Sequence, residues 1–187
     1  SVVPSQGDPG PWIWPAGTPW AGRLGLSFIR GAGYSTNQGS SWLLTEGFQG
    51  SSFDKNFSAV DDIEGSPFFG RAYTVWSAFS PNAIISSFST DGGDDWSQPL
   101  TVSPPSTTRQ LGCDIEVGPG GVVYVVWAHF SGLVSSTEDS LGFAKSTDGG
   151  VTWTAQTNTA VEMNGIRAAN LFNGIRAAGF PRIAIDN

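Results

Sequence analysis

Short apolar and β-branched runs alternate with turn residues along most of the chain. Residues 70–76 and 121–127 each begin with a glycine and continue with the valine, tyrosine and tryptophan content that is typical of a β-strand. Further short runs of this kind lie at residues 57–61 and 113–117. The pattern predicts an all-β protein built from short antiparallel strands.

The strands recur as a unit. Residues 121–127 repeat residues 70–76 after 51 positions, and the runs at 99–102 and 154–157 provide a fourth strand in each unit. Residues 181–186 are predicted to open a further unit. Four antiparallel strands in about 55 residues, joined by turns and one longer loop between the second and third strands, predict a β-propeller blade. A stacked sandwich is the alternative, but it does not require the same turn chemistry at each return.

One octapeptide occurs three times. Ser-Thr-Asp-Gly-Gly-Asp-Asp-Trp at residues 89–96 returns as Ser-Thr-Asp-Gly-Gly-Val-Thr-Trp at 146–153, and a worn copy, Ser-Thr-Asn-Gln-Gly-Ser-Ser-Trp, lies at 35–42. We expect the aspartate to accept hydrogen bonds from backbone N–H groups two or three residues on, the glycines to take left-handed dihedrals, and the tryptophan to fold over the turn. The residues that define these turns are Ser89, Asp91, Gly93 and Trp96, then Ser146, Asp148, Gly150 and Trp153, and in the worn copy Ser35, Asn37, Gly39 and Trp42.

The pattern Ser-x-Asp-x-Gly-x-x-Trp resembles the Asp-box, or bacterial neuraminidase repeat, of sialidases and the wider sialidase-like propeller superfamily. The resemblance covers roughly residues 24–187. It implies that the octapeptides form outer hairpins between the third and fourth strands, away from the ligand-binding centre, so that they maintain the fold without supplying the function. Residues 1–23 match no blade strand, and we predict that they form a separate segment rich in proline and tryptophan.

A second irregular stretch is predicted at about residues 160–179. The sequence Asn-Gly-Ile-Arg-Ala-Ala occurs there twice, at 164–169 and at 173–178. It is an inserted loop or short helix, a recent tandem duplication, or a fault in how the sequence was determined.

The chain is short for the fold that it predicts. Its 187 residues hold roughly 3.4 blades, whereas propellers have four to eight. An open arc would expose strand edges, which favour aggregation. We therefore expect that the chain is a piece of a larger propeller, or that another chain or a second copy completes it as an oligomer.

Composition excludes several classes of function. A net charge of −7 without any cluster of lysine and arginine argues against nucleic acid as a partner. No run approaches the roughly 20 apolar residues of a membrane helix, so we expect no insertion into a membrane. The single cysteine, Cys113, excludes an intrachain disulfide and is predicted to be a buried structural thiol. With one histidine besides, we expect no His/Cys metal site and no cofactor. Few lysines among many Ser, Thr, Gly and Asn residues favour an exported protein, extracellular or at the cell surface.

The resemblance also implies an arginine triad for a carboxylated sugar, a Tyr-Glu nucleophile pair, an Asp acid/base and an early Phe/Tyr-Arg-Ile-Pro strand. Here Phe-Pro-Arg-Ile at residues 180–183 has the same residue types in another order, on the last inner-strand candidate. Arg182 is therefore either a ligand-facing arginine or a solvated residue at a strand end. Arg71 and Arg109 are further candidates for the same face. No catalytic set is complete.

Other chemistry-bearing residues have structural interpretations. Tyr73 and Tyr124 occupy the same repeat position and are predicted to pack in the core, because a single nucleophile would not recur. His129 follows the second strand and is predicted to be a loop residue. Three acids at the end of the inner strands are predicted to cap turns: Asp61, Glu116 and Asp186.

Three tryptophans near the N-terminus have two interpretations. Trp12, Trp14 and Trp20 either stack on sugar faces or anchor the segment to the propeller or to a neighbouring subunit. Taken together, the sequence favours a non-catalytic, exported Asp-box propeller that acts as a scaffold for interaction or assembly, with a glycan as a candidate ligand. The alternatives are a piece of a sialidase-type exo-glycoside hydrolase and a propeller that helps to assemble another complex.

Overall fold

The computed structural model contains three four-stranded antiparallel sheets, which confirms the predicted all-β propeller class. It describes residues 10–13, 19–24, 29–35, 37, 40–41, 43–49, 53–132, 137–166 and 179–186, with the backbone alone for 10–34 and 44–49. In each sheet the strands are neighbours in chain order.

The strands of the first sheet are β1 (Gly10–Ile13), β2 (Pro19–Leu24), β3 (Ile29–Tyr34) and β4 (Leu43–Gln49). Those of the second are β5 (Phe53–Val60), β6 (Ala72–Phe79), β7 (Asn82–Ser89) and β8 (Leu100–Thr101). Those of the third are β9 (Gln110–Gly118), β10 (Val122–His129), β11 (Ser140–Ser146) and β12 (Thr154–Glu162). A short 3₁₀ turn, Pro119–Gly121, joins β9 to β10.

The first strands of the three sheets, β1, β5 and β9, lie beside one another, so the sheets are arranged as blades around them. The core between the second and third sheets follows the strand period of two. On β10, Val123, Val125 and Trp127 are fully buried, while the residues between them are half-buried. Tyr73 and Ile84 from the second sheet belong to the same core cluster.

The predicted N-terminal segment overlaps the first sheet. Its boundary at residues 23 and 24 falls inside β2, and β1 and β2 form half of the first sheet. Trp12 and Trp20 are opposite each other in this pair of strands, whereas Trp14 lies outside the described residues. The sequence pattern did not predict these strands because they contain prolines. Proline is tolerated on edge strands and at the first residue of a strand, and Pro11 and Pro19 occupy such positions.

Two predicted connections also differ from the structure. The longer loop between the second and third strands is present in the third sheet, at residues 130–139, but not in the second, where Ser80 and Pro81 alone join β6 to β7. Residues 181–186 form no strand. They follow β9 instead, where the backbone N–H of Ile183 donates to Asp114 Oδ2 at 3.0 Å.

The two ends of the predicted insertion meet at one buried residue, Glu138. β12 extends to Glu162, and the backbone N–H of Gly165 then donates to the carbonyl oxygen of Glu138 at 2.9 Å. The backbone N–H of Gly179 donates to Glu138 Oε1 at 2.9 Å. Residues 167–178, which include the second copy of the six-residue echo, lie outside the described residues.

Candidate ligand-binding site

The third octapeptide turn, residues 146–153, is a closed hydrogen-bond network between β11 and β12. Ser146 Oγ donates to Asp148 Oδ1 at 2.7 Å and accepts the backbone N–H of Gly150 at 2.8 Å. Asp148 Oδ1 accepts the backbone N–H groups of Val151 and Thr152 at 3.1 and 2.9 Å. The aspartate thus caps N–H groups three and four residues on, one residue further than the sequence predicted.

The other two turns repeat this geometry. Ser89 Oγ accepts the backbone N–H of Gly93 at 2.8 Å, and Asp91 Oδ1 accepts that of Asp95 at 3.0 Å. In the worn copy, Asn37 Oδ1 accepts the backbone N–H of Ser41 at 2.8 Å, so an amide replaces the carboxylate at the cap. Ser35 is buried beneath it, and Gly39 and Trp42 lie outside the described residues.

The tryptophans of the second and third turns have different roles. Trp96 Nε1 donates to the carbonyl oxygen of Gly93 at 3.2 Å, within its own turn. Trp153 Nε1 donates to Ser86 Oγ on β7 at 3.1 Å, and its ring packs against the core cluster shared by the two sheets. The third turn therefore holds the second and third sheets together.

Arg71 belongs to this contact between sheets. Its Nη1 donates to the carbonyl oxygen of Gly149 at 2.6 Å, and its guanidinium carbon lies 4.8 and 4.6 Å from the ring centroids of Phe68 and Phe88. The structure thus places Arg71 against an octapeptide turn, where it packs between two phenylalanine rings and the turn backbone.

Replacing Asp148 by alanine is expected to lower the free energy of unfolding at pH 7 by about 1.5–3 kcal/mol, because hydrogen bonds to a charged acceptor are lost. The Asp148→Asn variant should lose less stability, because the amide oxygen of Asn37 accepts the same backbone hydrogen bond in the worn copy of the turn. Burial by itself raises the pKa of Asp148, but hydrogen bonds from Thr152, Ser146 and Val151 outweigh it and lower the pKa to about 2. The stability from this depressed pKa is present above about pH 4 and is lost as the pH falls towards 2. Urea titrations across this range test the prediction, and an equal loss in both variants at pH 7 would contradict it.

The end of the sheets opposite the octapeptide turns contains the starts of β5 and β9. Phe53 pairs with Ala78 near the end of β6, and Gln110 pairs with His129 at the end of β10. A pocket of about 120 Å³ lies at this end, between β5, β9 and the segment 179–186. Its lining residues are Lys55, Asn56, Phe57, Gly112, Cys113, Phe180 and Arg182.

The pocket therefore includes Arg182 but not the other two candidate arginines. Arg109 is at the same end of the sheets, where its guanidinium carbon lies 5.3 Å from the ring centroid of Phe79 and its carbonyl oxygen accepts the backbone N–H of Phe130 at 3.0 Å. Arg109 and Arg182 thus lie at one end of the sheets and Arg71 lies at the other.

A β-bulge shapes the pocket wall on β5. Asp54 pairs with Ser77 and Phe57 pairs with Val75, so Lys55 and Asn56 together oppose one residue of β6. Such a bulge leaves residues out of the ladder and redirects their side chains.

The same bulge occurs on β9, where Leu111 pairs with Ala128 and Asp114 pairs with Val126. Gly112 and Cys113 are the two bulged residues there. Because Val75 and Val126 occupy the same repeat position, Lys55 corresponds to Gly112 and Asn56 to Cys113. The offset of the inner strands is thus 57 residues, whereas Asp61 and Glu116, which were predicted to be equivalent, are 55 residues apart.

Lys55 has a backbone conformation that a glycine, Gly112, adopts at the equivalent position of the third sheet. The φ angles are 51° for Lys55 and 70° for Gly112. A side chain in this left-handed region costs roughly 1–2 kcal/mol, and such residues concentrate at functional sites. Lys55 Nζ lies 5.6 Å from the ring centroid of Phe180, on the opposite wall of the pocket.

Asn56 is the most unusual residue of the pocket. It is 2% exposed, and neither Oδ1 nor Nδ2 has a hydrogen-bond partner within the part of the chain that the structure describes. Leaving a buried polar group without a partner costs about 1–3 kcal/mol. The pocket is therefore lined by an amide whose donor and acceptor are buried and have no partner among the described residues.

Arg182 is at the edge of the pocket, with 68% of its side chain exposed. Its guanidinium carbon lies 4.5 Å from the ring centroid of Phe57, and its Nη1 lies 3.9 Å from Asp114 Oδ1. Burial raises the pKa of Asp114, although hydrogen bonds from the backbone N–H groups of Ile183 and Ile115 and the charge of Arg182 oppose it. Cys113 is buried, and its Sγ donates to the carbonyl oxygen of Lys55 at 3.2 Å.

The predicted turn caps are only partly found. Asp61 is buried and caps a turn: its Oδ1 accepts the backbone N–H of Ile63 at 3.1 Å, and its Oδ2 accepts Ser66 Oγ at 2.5 Å. Glu116 lies inside β9 opposite Tyr124, so it is not at a strand end. Asp186 is exposed in the segment beside β9.

The tyrosines and the histidine lie outside the pocket. Tyr73 is buried, which raises its pKa. Tyr124 is half-buried, with its ring centroid 6.2 Å from that of Phe143. His129 is the last residue of β10 and not a loop residue. Its Nε2 and Nδ1 lie 2.9 and 3.2 Å from Thr108 Oγ1 and Ser140 Oγ, and burial lowers its pKa.

No protein family and no curated protein matches the chain, but solved structures do. A protein of unknown function from Dyadobacter fermentans is 17% identical over 79% of this chain and 49% of its own, with a TM-score of 0.56. The Hadza microbial sialidase Hz136 is 15% identical over 80% and 36%, with a TM-score of 0.57. The GH93 α-L-arabinofuranosidase of Fusarium graminearum is 11% identical over 86% and 50%, with a TM-score of 0.56. The chain thus spans half or less of these proteins, and at these identities the likeness establishes the fold alone.

Across the described ranges, no helix is long and apolar enough to cross a membrane.

Proposed function

We propose that the chain is the Asp-box part of a non-catalytic, extracellular or surface-associated β-propeller that binds saccharides and acts as a scaffold for interaction or assembly. The octapeptides are the Asp-boxes of this proposal. Their networks stabilise the end of the sheets opposite the pocket and leave the pocket free for a ligand.

The observation that carries the proposal is the buried amide of Asn56, which has no hydrogen-bond partner among the described residues. Binding sites for small molecules are concave and largely apolar, with a few polar groups that fix the orientation of the ligand. The pocket has this composition, with two phenylalanines, one buried amide and two cations. Saccharide hydroxyl groups both donate and accept hydrogen bonds, which is what the Asn56 amide requires.

The pocket favours binding over hydrolysis. Glycoside hydrolysis uses two carboxyl groups that flank the scissile bond. Among the described residues that line the pocket, none is a carboxylate; Asp114 adjoins it beneath Arg182. The alternative, a piece of a sialidase-type glycoside hydrolase, is supported by the shared fold, and it would need catalytic groups from elsewhere in the propeller.

A glycan array probed with the intact native protein tests the proposal. We expect binding to a subset of saccharides, and Asn56→Leu should weaken it by about tenfold, because the amide partner is lost. Arg109→Gln is the matched control and should retain affinity. Light scattering on the same samples should show a defined multimer, and a monodisperse 19.7 kDa monomer would contradict the scaffold role. Turnover of a fluorogenic sialoside would overturn the non-catalytic assignment.

A further inference from the structure

We propose that Asn164 is a deamidation site that the contacts of Glu138 hold unreactive, and that isoaspartate formed there prevents these contacts from closing again. The site lies in the irregular stretch after β12 and is separate from the proposed saccharide pocket.

The side chain of Asn164 is exposed, and the next residue is Gly165. In deamidation the backbone nitrogen of the following residue loses its proton and attacks Cγ of the asparagine. A bond forms between these two atoms, the Cγ–Nδ2 bond breaks and ammonia departs, which gives a cyclic imide. Water then opens the imide at either carbonyl and yields aspartate or isoaspartate. A following glycine hinders ring closure least, because it has no Cβ atom.

Packing against Glu138 requires this same glycine. A Cβ atom on Gly165 would overlap Oε2, Cβ and the backbone nitrogen of Glu138. Glu138 is 0% exposed, and a close-packed interior leaves its side chain little room to move aside. The fold thus fixes the residue that makes Asn164 reactive, so protection of Asn164 has to come from its contacts.

Two backbone hydrogen bonds hold the residues on either side of Asn164. The N–H of Met163 donates to the carbonyl oxygen of Asp139 at 2.8 Å, and the N–H of Gly165 donates to that of Glu138 at 2.9 Å. The nitrogen that has to attack Cγ is therefore already a hydrogen-bond donor. It keeps its proton and its orientation until that bond opens, so deamidation proceeds through local opening of this segment.

Glu138 also joins the two ends of the irregular stretch. It binds Gly165 through its carbonyl oxygen, while its Oε1 accepts the N–H of Gly179 at 2.9 Å. Loss of the Gly179 contact would free the side chain of Glu138 and weaken the packing that surrounds Gly165. Opening at one end of the stretch is therefore expected to expose the reactive pair at the other end.

Isoaspartate changes the main chain itself. It inserts one carbon atom between residues 163 and 165, so their N–H groups no longer match the two carbonyl oxygens that they bind together. The new carboxylate also adds a negative charge to an open pocket of about 540 Å³, where Asn164 lies with Asp139 and Glu162. Both effects oppose closure, so one opening event is recorded permanently.

Peptide mapping of the intact protein after ageing at mildly alkaline pH measures the reaction. Asn173 supplies an internal standard, because it is followed by the same five residues as Asn164. In guanidinium chloride the two asparagines should react at the same rate. In the folded protein Asn164 should react about tenfold more slowly than it does in the denaturant, since opening precedes attack. Equal rates for Asn164 in folded and unfolded protein would refute the protection.

Two substitutions of Glu138 test the cause of the protection. Glu138→Gln keeps an Oε1 acceptor for Gly179 and should leave Asn164 protected. Glu138→Leu removes this acceptor and should speed deamidation by about fivefold to tenfold. Circular dichroism establishes whether each variant is folded. Folded Glu138→Leu protein that reacts as slowly as the wild type would overturn the role of this contact, and the wild-type comparison decides the protection even where a variant does not fold.

Hydrogen exchange followed by NMR tests the effect of isoaspartate. Ion exchange separates aged protein that carries isoaspartate at position 164, and we expect its N–H groups at residues 163, 165 and 179 to exchange about tenfold faster. Asn164→Asp is the matched control: it has the same charge with a normal main chain, and its exchange should remain close to that of the wild type. Unchanged exchange in the isoaspartate protein, or an equal increase in both proteins, would overturn the proposal.

Discussion

Replacing Trp127 by alanine is expected to lower the free energy of unfolding by about 3–5 kcal/mol. Trp127 is 0% exposed in the core between the second and third sheets. Its ring covers Gly142 on the neighbouring strand, where a Cβ atom would lie 2.0 Å from it. Its Nε1 donates to Asn158 Oδ1 at 3.1 Å, which also accepts Gln110 Nε2 at 3.0 Å. Alanine would therefore leave a cavity and remove one hydrogen bond from a buried network.

Urea denaturation measures this loss, and Trp96→Ala is the control. Trp96 is half-buried in the second octapeptide turn, and its indole donates to the carbonyl oxygen of Gly93 in that turn. We expect a clearly smaller loss from this variant, since less apolar surface is exposed to water. Similar losses from both variants would show that burial in the core between the sheets is not what stabilises the fold.

Replacing Lys55 by glycine is expected to raise the free energy of unfolding by about 1 kcal/mol while it weakens saccharide binding in the pocket by about fivefold to tenfold. The gain follows from the φ angle of 51°, which glycine adopts without steric cost and which Gly112 occupies at the equivalent bulge. The loss follows from removal of a cation from the pocket lining. A variant that gains stability but loses affinity indicates that the original residue is retained for function.

Ala155→Gly provides the matched control for this prediction. Ala155 has a φ angle of 53° and is exposed on β12, where it does not line the pocket. It should gain comparable stability and leave saccharide binding unchanged. Thermal unfolding and titration calorimetry on both variants give the comparison. A Lys55→Gly protein that is less stable, or that binds as tightly as the wild type, would contradict the assignment.

The fold could be predicted because short segments of the chain are enough to identify its strands and turns. The octapeptide turns depend on hydrogen bonds within eight residues, so residue types at fixed spacing were enough to place Asp91 and Asp148 in turns. The worn copy was also informative, since Asn37 offers the same acceptor oxygen as the aspartates. The strands β1 and β2 were not predicted, because they contain prolines at positions where strands tolerate them.

The sequence by itself determined the class of the fold, the repeated blade and the chemistry of its turns, because each depends on neighbouring residues. Only the tertiary structure decided which residues form the pocket. Lys55 and Arg182 are far apart in the chain and meet because β5, β9 and the segment 179–186 lie side by side. A two-residue bulge determines where the side chains of Lys55 and Asn56 lie. The position of this bulge depends on how β5 pairs with β6. Tertiary packing likewise places Arg71 against an octapeptide turn and Arg182 at the pocket.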